Sequence, residues 1–290
     1  KKYFSITNLK NTNMGYTYSL SALFEKSFHF GLDLAASYTF GHSKSVYDGT
    51  SSVAYSNWKY NYAVDSNNPG LAYSMFDIPH RVMVSVGYRT PRYAKGFMAT
   101  TVSLVYNGYV GQRYSLTMNE SYYDAEKKKT VYIDYNGDGW GGNSLLYIPT
   151  EDELQKMDFK TEEDRRKFDE WIEGDSYAKK HRGAYAMRNS NSAPWENRVD
   201  LHVAQDIFVL KDRGSKFQVT FDVTNFANML NKKWGTTYTA AYNVMPLQVI
   251  GSKKGEDGNY TNTYAYNSRN TITKNDVLSR WHAQIGFKYI

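Results

Sequence analysis

The stretch Arg280–Ile290, RWHAQIGFKYI, alternates apolar and polar residues up to its last position. Val277, Trp281, Ala283, Ile285, Phe287 and Tyr289 fall on one side of an extended chain, and Arg280, His282, Gln284 and Lys288 on the other. A period of two marks a strand whose two faces meet different surroundings. Terminal segments are ordinarily polar and frayed, so an amphipathic strand here raises the question of what lies on each side.

The same alternation recurs upstream. Met14, Tyr16, Tyr18, Leu20, Ala22 and Phe24 form one row, and Phe30, Leu32, Leu34, Ala36, Tyr38 and Phe40 a second. Further rows are Phe76, Ile78, Val82, Val84, Val86 and Tyr88, then Met98, Val102, Leu104, Tyr106, Val110 and Tyr114. Val199, Leu201, Val203, Ile207 and Val209 make the next, and Phe217, Val219, Phe221 and Val223 the last before the terminal one. The pattern predicts about seven strands of about 12 to 20 residues, against about 5–6 in globular proteins and about 9–11 needed to cross hydrocarbon.

The connections alternate in length. EKSFH, TPRYAKG and KDRGSK are short turns, whereas residues 46–75, 118–194 and 230–276 are long. Transmembrane β-barrels join their strands in this way, with short turns on one side of the membrane and long loops on the other. The expected fold class is therefore all-β: an antiparallel transmembrane barrel with long extracellular loops and a short helical insert. The insert falls in 118–194, where Thr150 with Glu153 and Thr161 with Asp164 have capping spacing and Phe168, Trp171 and Ile172 make one apolar stripe. A soluble sheet with one wet face is the competing architecture. Aromatic residues are 16% of the chain and include 27 Tyr, while mean hydropathy is −0.64. Rings with a polar tip suit a membrane interface better than a dry core.

Other classes are excluded. There is no cysteine, hence no disulfide framework or thiolate metal site. The net charge of +6 comes from scattered Lys and Arg, not the clustered stripe that nucleic acid requires. The six His lack metal-ligand spacing, and no nucleophile elbow or phosphate loop is present. The chain is expected to be a non-enzyme. Bacterial single-chain barrels have an even strand number, so about seven strands imply the C-terminal part of a larger barrel.

The stretches SSVAYSNWKYNYAVDSNNPGLAYSMFDIPHRV, RNSNSAPWENRVDLH, NFANMLNKKW (Asn225–Trp234) and SRWHAQIGFKYI follow one another in an order that resembles the C-terminal end of TonB-dependent outer-membrane receptors of Bacteroidota, of the Oar-like and SusC-like kind. The resemblance implies a barrel of about 22 strands in the cell outer membrane. It also implies a plug, TonB contact through an N-terminal region, and a SusD-like surface lipoprotein as partner. Active uptake of a glycan or peptide would follow. The terminal pattern of such barrels also implies one further residue after Ile290, most often Phe.

Two candidate sites stand out. Asp134–Gly139, DYNGDG, matches the first half of a calcium loop, with Asp134, Asn136 and Asp138 as oxygen donors and Gly139 at the turn. The twelfth position is Leu145 instead of Glu, so the bidentate ligand is missing, and Glu151 and Asp152 are the nearby carboxylates that could reach in its place. An ordinary Asn-Gly/Asp-Gly turn is the alternative. The long loops also mix Tyr and Trp with Asn, Ser and Thr, a composition suited to sugars or peptides. Trp58, Tyr60, Tyr62, Tyr238 and Tyr242 are the candidate ligand contacts. Two other functions remain open: an interaction or channel barrel without TonB-driven import, and a soluble carbohydrate-binding β-domain.

Overall fold

The computed structural model describes residues 6–8, 10–209, 215–239, 243–256, 258–268 and 272–290. Its main sheet is a meander of seven long strands: β1 (Tyr16–Ser27), β2 (Leu32–Ser45), β3 (His80–Arg89), β4 (Met98–Tyr109), β5 (Glu196–Phe208), β6 (Lys216–Thr224) and β7 (His282–Tyr289). Each pairs antiparallel with the next. Among the described residues β1 and β7 lie at the two edges and do not pair with each other.

Register carries the apolar rows of the sequence onto one face. Leu20 opposes Phe40, Ala36 opposes Val84, and Val84 opposes Tyr106. The row continues through Leu104, Leu201, Val223 and Ala283, each paired with the next. Because side chains alternate, one face inherits every apolar row and the other every polar one. On the apolar face the only Lys, Arg, Asp or Glu are Lys26 and Lys44, each one residue from a strand end. The opposite face holds Glu25, Asp33, Arg81, Arg89, Arg198 and Asp222, among others. It is laced by bonds such as Ser21–Thr39 at 2.9 Å and Arg89–Asp206 at 2.7 Å.

Rings gather at the two heights where the apolar face ends. Tyr16, Tyr18, Tyr38, Phe40 and Tyr106 lie toward the long connections, and Phe24, Tyr88, Phe217, Phe287 and Tyr289 toward the short ones. Phe217 and Tyr289 touch across β6 and β7, with centroids 5.0 Å apart. Among the described residues no helix is long and apolar enough to cross a membrane, so any crossing is by strands.

The strands are shorter than the alternation suggests, and the long connections correspondingly longer: 46–79, 110–195 and 225–281. Phe76 and Ile78 lie outside β3 because Pro79 has no N–H to give the ladder. Tyr114 is buried in a loop strand, Arg113–Leu116, rather than standing on the apolar face. Val277 sits in a turn closed by the Asn275 side chain on the Leu278 amide at 3.0 Å. At the other end, Gly31 (φ 95°) makes a turn so tight that a Cβ would meet the Arg89 carbonyl at 2.2 Å. KDRGSK lies mostly outside the described residues.

The main hydrophobic cluster is not in the sheet, where Ala99, Ala204, Phe208 and Val223 are the buried apolar residues. Leu116, Leu146, Ile148, Phe168, Ile172 and Leu247 are fully or almost fully buried, and all belong to the long connections. Among the described residues the long connections hold four helices, α1 (Ala54–Lys59), α2 (Glu151–Lys156), α3 (Glu162–Gly174) and α4 (Phe226–Leu230), and α2 and α3 pack with these buried residues into a cap. Thr150 opens α2 with a complete capping box to Glu153, and Thr161 caps α3 through the Asp164 amide at 3.1 Å. The α3 stripe of Phe168, Trp171 and Ile172 turns inward, with Trp171 stacked on Phe168 at 5.9 Å. A two-residue parallel pairing of Asp158–Phe159 with Thr263–Tyr264 ties the second long loop to the third.

The cap is fastened to the sheet by a buried ion network. Asp77 is held by the Arg113 guanidinium at 2.6 and 3.0 Å, by the Ser43 amide at 2.6 Å, and by His42 at 3.3 Å. Arg113 in turn lies over the Tyr73 ring, 4.0 Å from its centroid. Asp77 and Arg113 are both buried, so each satisfies a charge that would be costly alone.

Candidate ligand and cation sites in the cap

A cavity of about 350 Å3 opens where the first long loop meets Arg188 and Asn189 of the second. Tyr47, Tyr60 and Tyr62 contribute rings to its wall, and Asp48, Asn57 and Asn61 contribute planar polar groups. Its charged floor is well anchored. Arg188 donates to the Asn61 side-chain oxygen at 2.5 Å and to the Ser45 carbonyl at 2.6 Å, with Asp48 3.9 Å away. Burial pulls the Arg188 pKa below its ordinary value while Asp48 opposes that shift. Asp48 itself accepts from the Ser45 hydroxyl at 2.9 Å and the Met75 amide at 3.1 Å. Convergent, prepositioned polar groups between aromatic walls describe a small-molecule site.

The five ring candidates separate. Tyr60 and Tyr62 line the cavity. Trp58 is on α1 beside it, stacked on Tyr55 at 5.7 Å and donating to Asn67 at 3.3 Å, and does not line it. Tyr238 belongs to a two-residue strand in the third loop, paired with Thr273–Lys274. Tyr242 lies outside the described residues. Asp48, Asn61 and Arg188 were not anticipated. Arg188 is 143 residues from the Ser45 it touches, and no local spacing signals such a contact.

The DYNGDG loop is a tight nest of bonds. The Asp134 carboxylate accepts from the Asp138 amide at 3.1 Å and the Gly139 amide at 2.8 Å. The Asn136 oxygen accepts from the Asp138 amide at 3.3 Å, and Asp138 accepts from the Trp140 amide at 2.7 Å. The other Asp138 oxygen takes the Ser66 hydroxyl at 2.6 Å and the Asn143 amide group at 2.8 Å, which joins the first two long loops. Gly137 and Gly139 adopt positive φ (69° and 80°), as the turn requires.

Glu151 and Asp152 do not reach this loop. They are exposed in the first turn of α2, where negative charge suits the helix N-terminus. The carboxylate brought close is Glu120, buried and held by the amides of Gly142 and, at 2.9 Å, Ser144. Burial pushes its pKa up to about 7; the Ser144 bonds pull it down, and the charges of Asp138 and Asp134 push it up further. Among the described residues no three His, Cys, Asp or Glu side chains converge as a ready metal cage. A cation here would therefore use Asp134, Asn136 and Asp138 together with amide, carbonyl or water oxygen.

Comparison with protein-family models matches residues 1–279 to a family described as an outer membrane beta barrel domain. No curated protein and no solved structure matches the chain.

Proposed function

From the premise that this chain belongs to the outer-membrane β-barrel domain family, we propose that it is a wall sector of an outer-membrane barrel whose loop cap recognises a solute or partner at the barrel mouth. Barrel domains of this family are structural and transport proteins, and the cell outer membrane is where the chain works. The apolar face of β1–β7 then meets lipid and the polar face the lumen. Unpaired strand edges are not tolerated in hydrocarbon, so β1 and β7 would be covered by further strands. The long connections would lie outside the cell.

The observation that carries this reading is the placement of the hydrophobic core. A loop set that only joined strands would have no need of a packed interior, yet here the cluster of buried apolar side chains is in the cap. A rigid cap holds the Tyr60–Arg188 cavity in shape, and pre-shaping of this kind is what binding requires. Titration of purified, detergent-folded protein with oligosaccharides and short peptides, followed by tryptophan fluorescence, tests it. Saturable binding lost in Tyr60→Ala supports the reading; no binding, or binding indifferent to Tyr60 and Asn57, removes it.

A finer reading is TonB-coupled uptake of a glycan or peptide, with a SusD-like lipoprotein over the mouth. It rests on the resemblance of NFANMLNKKW and SRWHAQIGFKYI to receptor C-termini. Uptake by cells carrying the full gene should stop when a protonophore collapses the inner-membrane gradient. Uptake that continues marks a passive channel or interaction barrel. Calcium is proposed for the Asp134–Gly139 loop, supported by the amide bonds that aim its oxygens and by a buried Glu120 that a nearby cation would relieve.

A further inference from the structure

A second cleft lies at the long-loop end of β6 and β7, away from the tyrosine cavity. It encloses about 540 Å3 between α4 and the segment leading into β7, and its lining includes Met229, Lys232, Lys274, Asp276, Arg280 and Trp281. Three cations face a single carboxylate. Asp276 stands 3.8 Å from Lys274, while neither Lys232 nor Arg280 has an ion-pair partner among the described residues. The Lys274 ammonium is steered into the cleft by the Lys232 carbonyl at 3.3 Å.

The surroundings of the cleft are apolar. Met229, Leu230, Trp234, Val277, Leu278 and Trp281 are all exposed. Scattered exposed apolar side chains need no explanation, but a contiguous set beside a basic cleft marks a contact surface. Position identifies what it touches. Trp281 immediately precedes β7 and extends the row of Ala283, Ile285, Phe287 and Tyr289 on the apolar face. Helix α4 begins two residues after β6 ends. The cleft therefore opens at the height where the apolar band stops, continuous with the lipid-facing surface. Trp at this level and Lys or Arg just beyond it is the arrangement that holds an amphiphile with an anionic head.

We infer that the α4–β7 cleft binds a phosphate-bearing amphiphile of the outer leaflet, the phosphate seated among Lys232, Lys274 and Arg280 and the acyl chains lying on Trp281 and the apolar strand face. Arg280 supplies the planar donor fork suited to phosphate, and the two lysines supply point charge. The site leaves the tyrosine cavity free, so lipid and ligand bind independently. It rests on the outward placement of the long loops, which protease cleavage of those loops on intact cells tests separately.

The test uses the full chain folded in phosphatidylcholine nanodiscs, with diphosphoryl lipid A added as probe and lipid retention counted by native mass spectrometry. Wild type should retain lipid A. The variant Lys232→Gln/Lys274→Gln/Arg280→Gln should retain it roughly a hundredfold less well, each cation contributing about a fivefold factor near a charged surface. All three side chains are exposed, so the variants should fold; heat-modifiable gel migration checks this, and Arg280→Gln alone serves if the triple variant does not. Equal retention by the folded variants overturns the inference. Displacement of lipid A by inorganic phosphate at matched concentration also overturns it, because the site would then read a free anion rather than a lipid.

Discussion

Leu201 and His202 are neighbours in β5 on opposite faces of the sheet, which makes them a direct test of what the two faces meet. Leu201 opposes Leu104 on one side and Val223 on the other, whereas His202 opposes Ser103 and Asp222. The height of Leu201 follows from its own strand. On the apolar face Asn197 bonds to the Tyr106 hydroxyl at 2.7 Å at one end, and Gln205 to the Tyr93 hydroxyl at 2.9 Å at the other. Leu201 is midway between these two polar contacts. The interval is about 26 Å along the strand at about 3.3 Å per residue. Tilted by about 40°, it spans about 20 Å of a band about 25 Å tall. Leu201 is therefore close to the midplane. Leu201→Arg should destabilise the folded barrel by about 2–4 kcal/mol, and Ile207→Arg, near the short-turn end, by no more than about 1 kcal/mol. His202→Arg should cost less still, since the new guanidinium meets Asp222. Urea unfolding in lipid vesicles, followed by tryptophan fluorescence, measures all three. Equal costs for Leu201→Arg and His202→Arg would refute the assignment of faces, and equal costs for Leu201→Arg and Ile207→Arg would refute the depth.

Asp77→Asn leaves the buried Arg113 guanidinium without its counter-charge and should loosen the cap by about 3–5 kcal/mol, read as protease sensitivity of the long loops; a change below about 1 kcal/mol would mean the network does not fasten the cap. Tyr60→Ala should weaken ligand binding by at least about 1 kcal/mol while leaving the unfolding midpoint unchanged, because the residue is 64% exposed. Asp138→Ala should abolish any calcium-dependent rise in the cap's melting temperature, and wild type without such a rise at millimolar calcium would remove the cation site. Glu120, with its folded pKa raised from 4.5 to about 7, keeps its proton in the native state after the unfolded chain has lost it. In chelator, cap stability should be highest below about pH 4.5 and fall by up to about 3 kcal/mol as pH rises to about 7. Calcium should cancel that fall, and a pH-independent midpoint in chelator would refute the assignment.

Seven strands, their faces and the alternation of short and long joins were legible in the chain because each depends on neighbours two residues apart or on the distance between turns. Period two survives any register, and β1–β7 follow one another in sequence order, so no long-range pairing had to be guessed. The capping residues Thr150 and Thr161 and the inward stripe of α3 were legible for the same reason, since a helix start and a helical face are written within four residues. The strand ends were less so. Pro79 and the Asn275 turn cut short rows that alternation alone would have continued.

The cap is where tertiary structure decided. Ser66 meets Asp138 from 72 residues away, Arg188 meets Ser45 from 143, and Arg113 meets Asp77 from 36. These groups come together because α3 and the strands around Leu116 and Leu247 bury a common apolar interior, and the chain between is carried along. So Glu120 rather than Glu151 stands beside the DYNGDG loop, and Tyr60 and Tyr62 rather than Tyr238 face the cavity. Local sequence sets which residues could serve; only the packing of one long loop against another sets which of them meet.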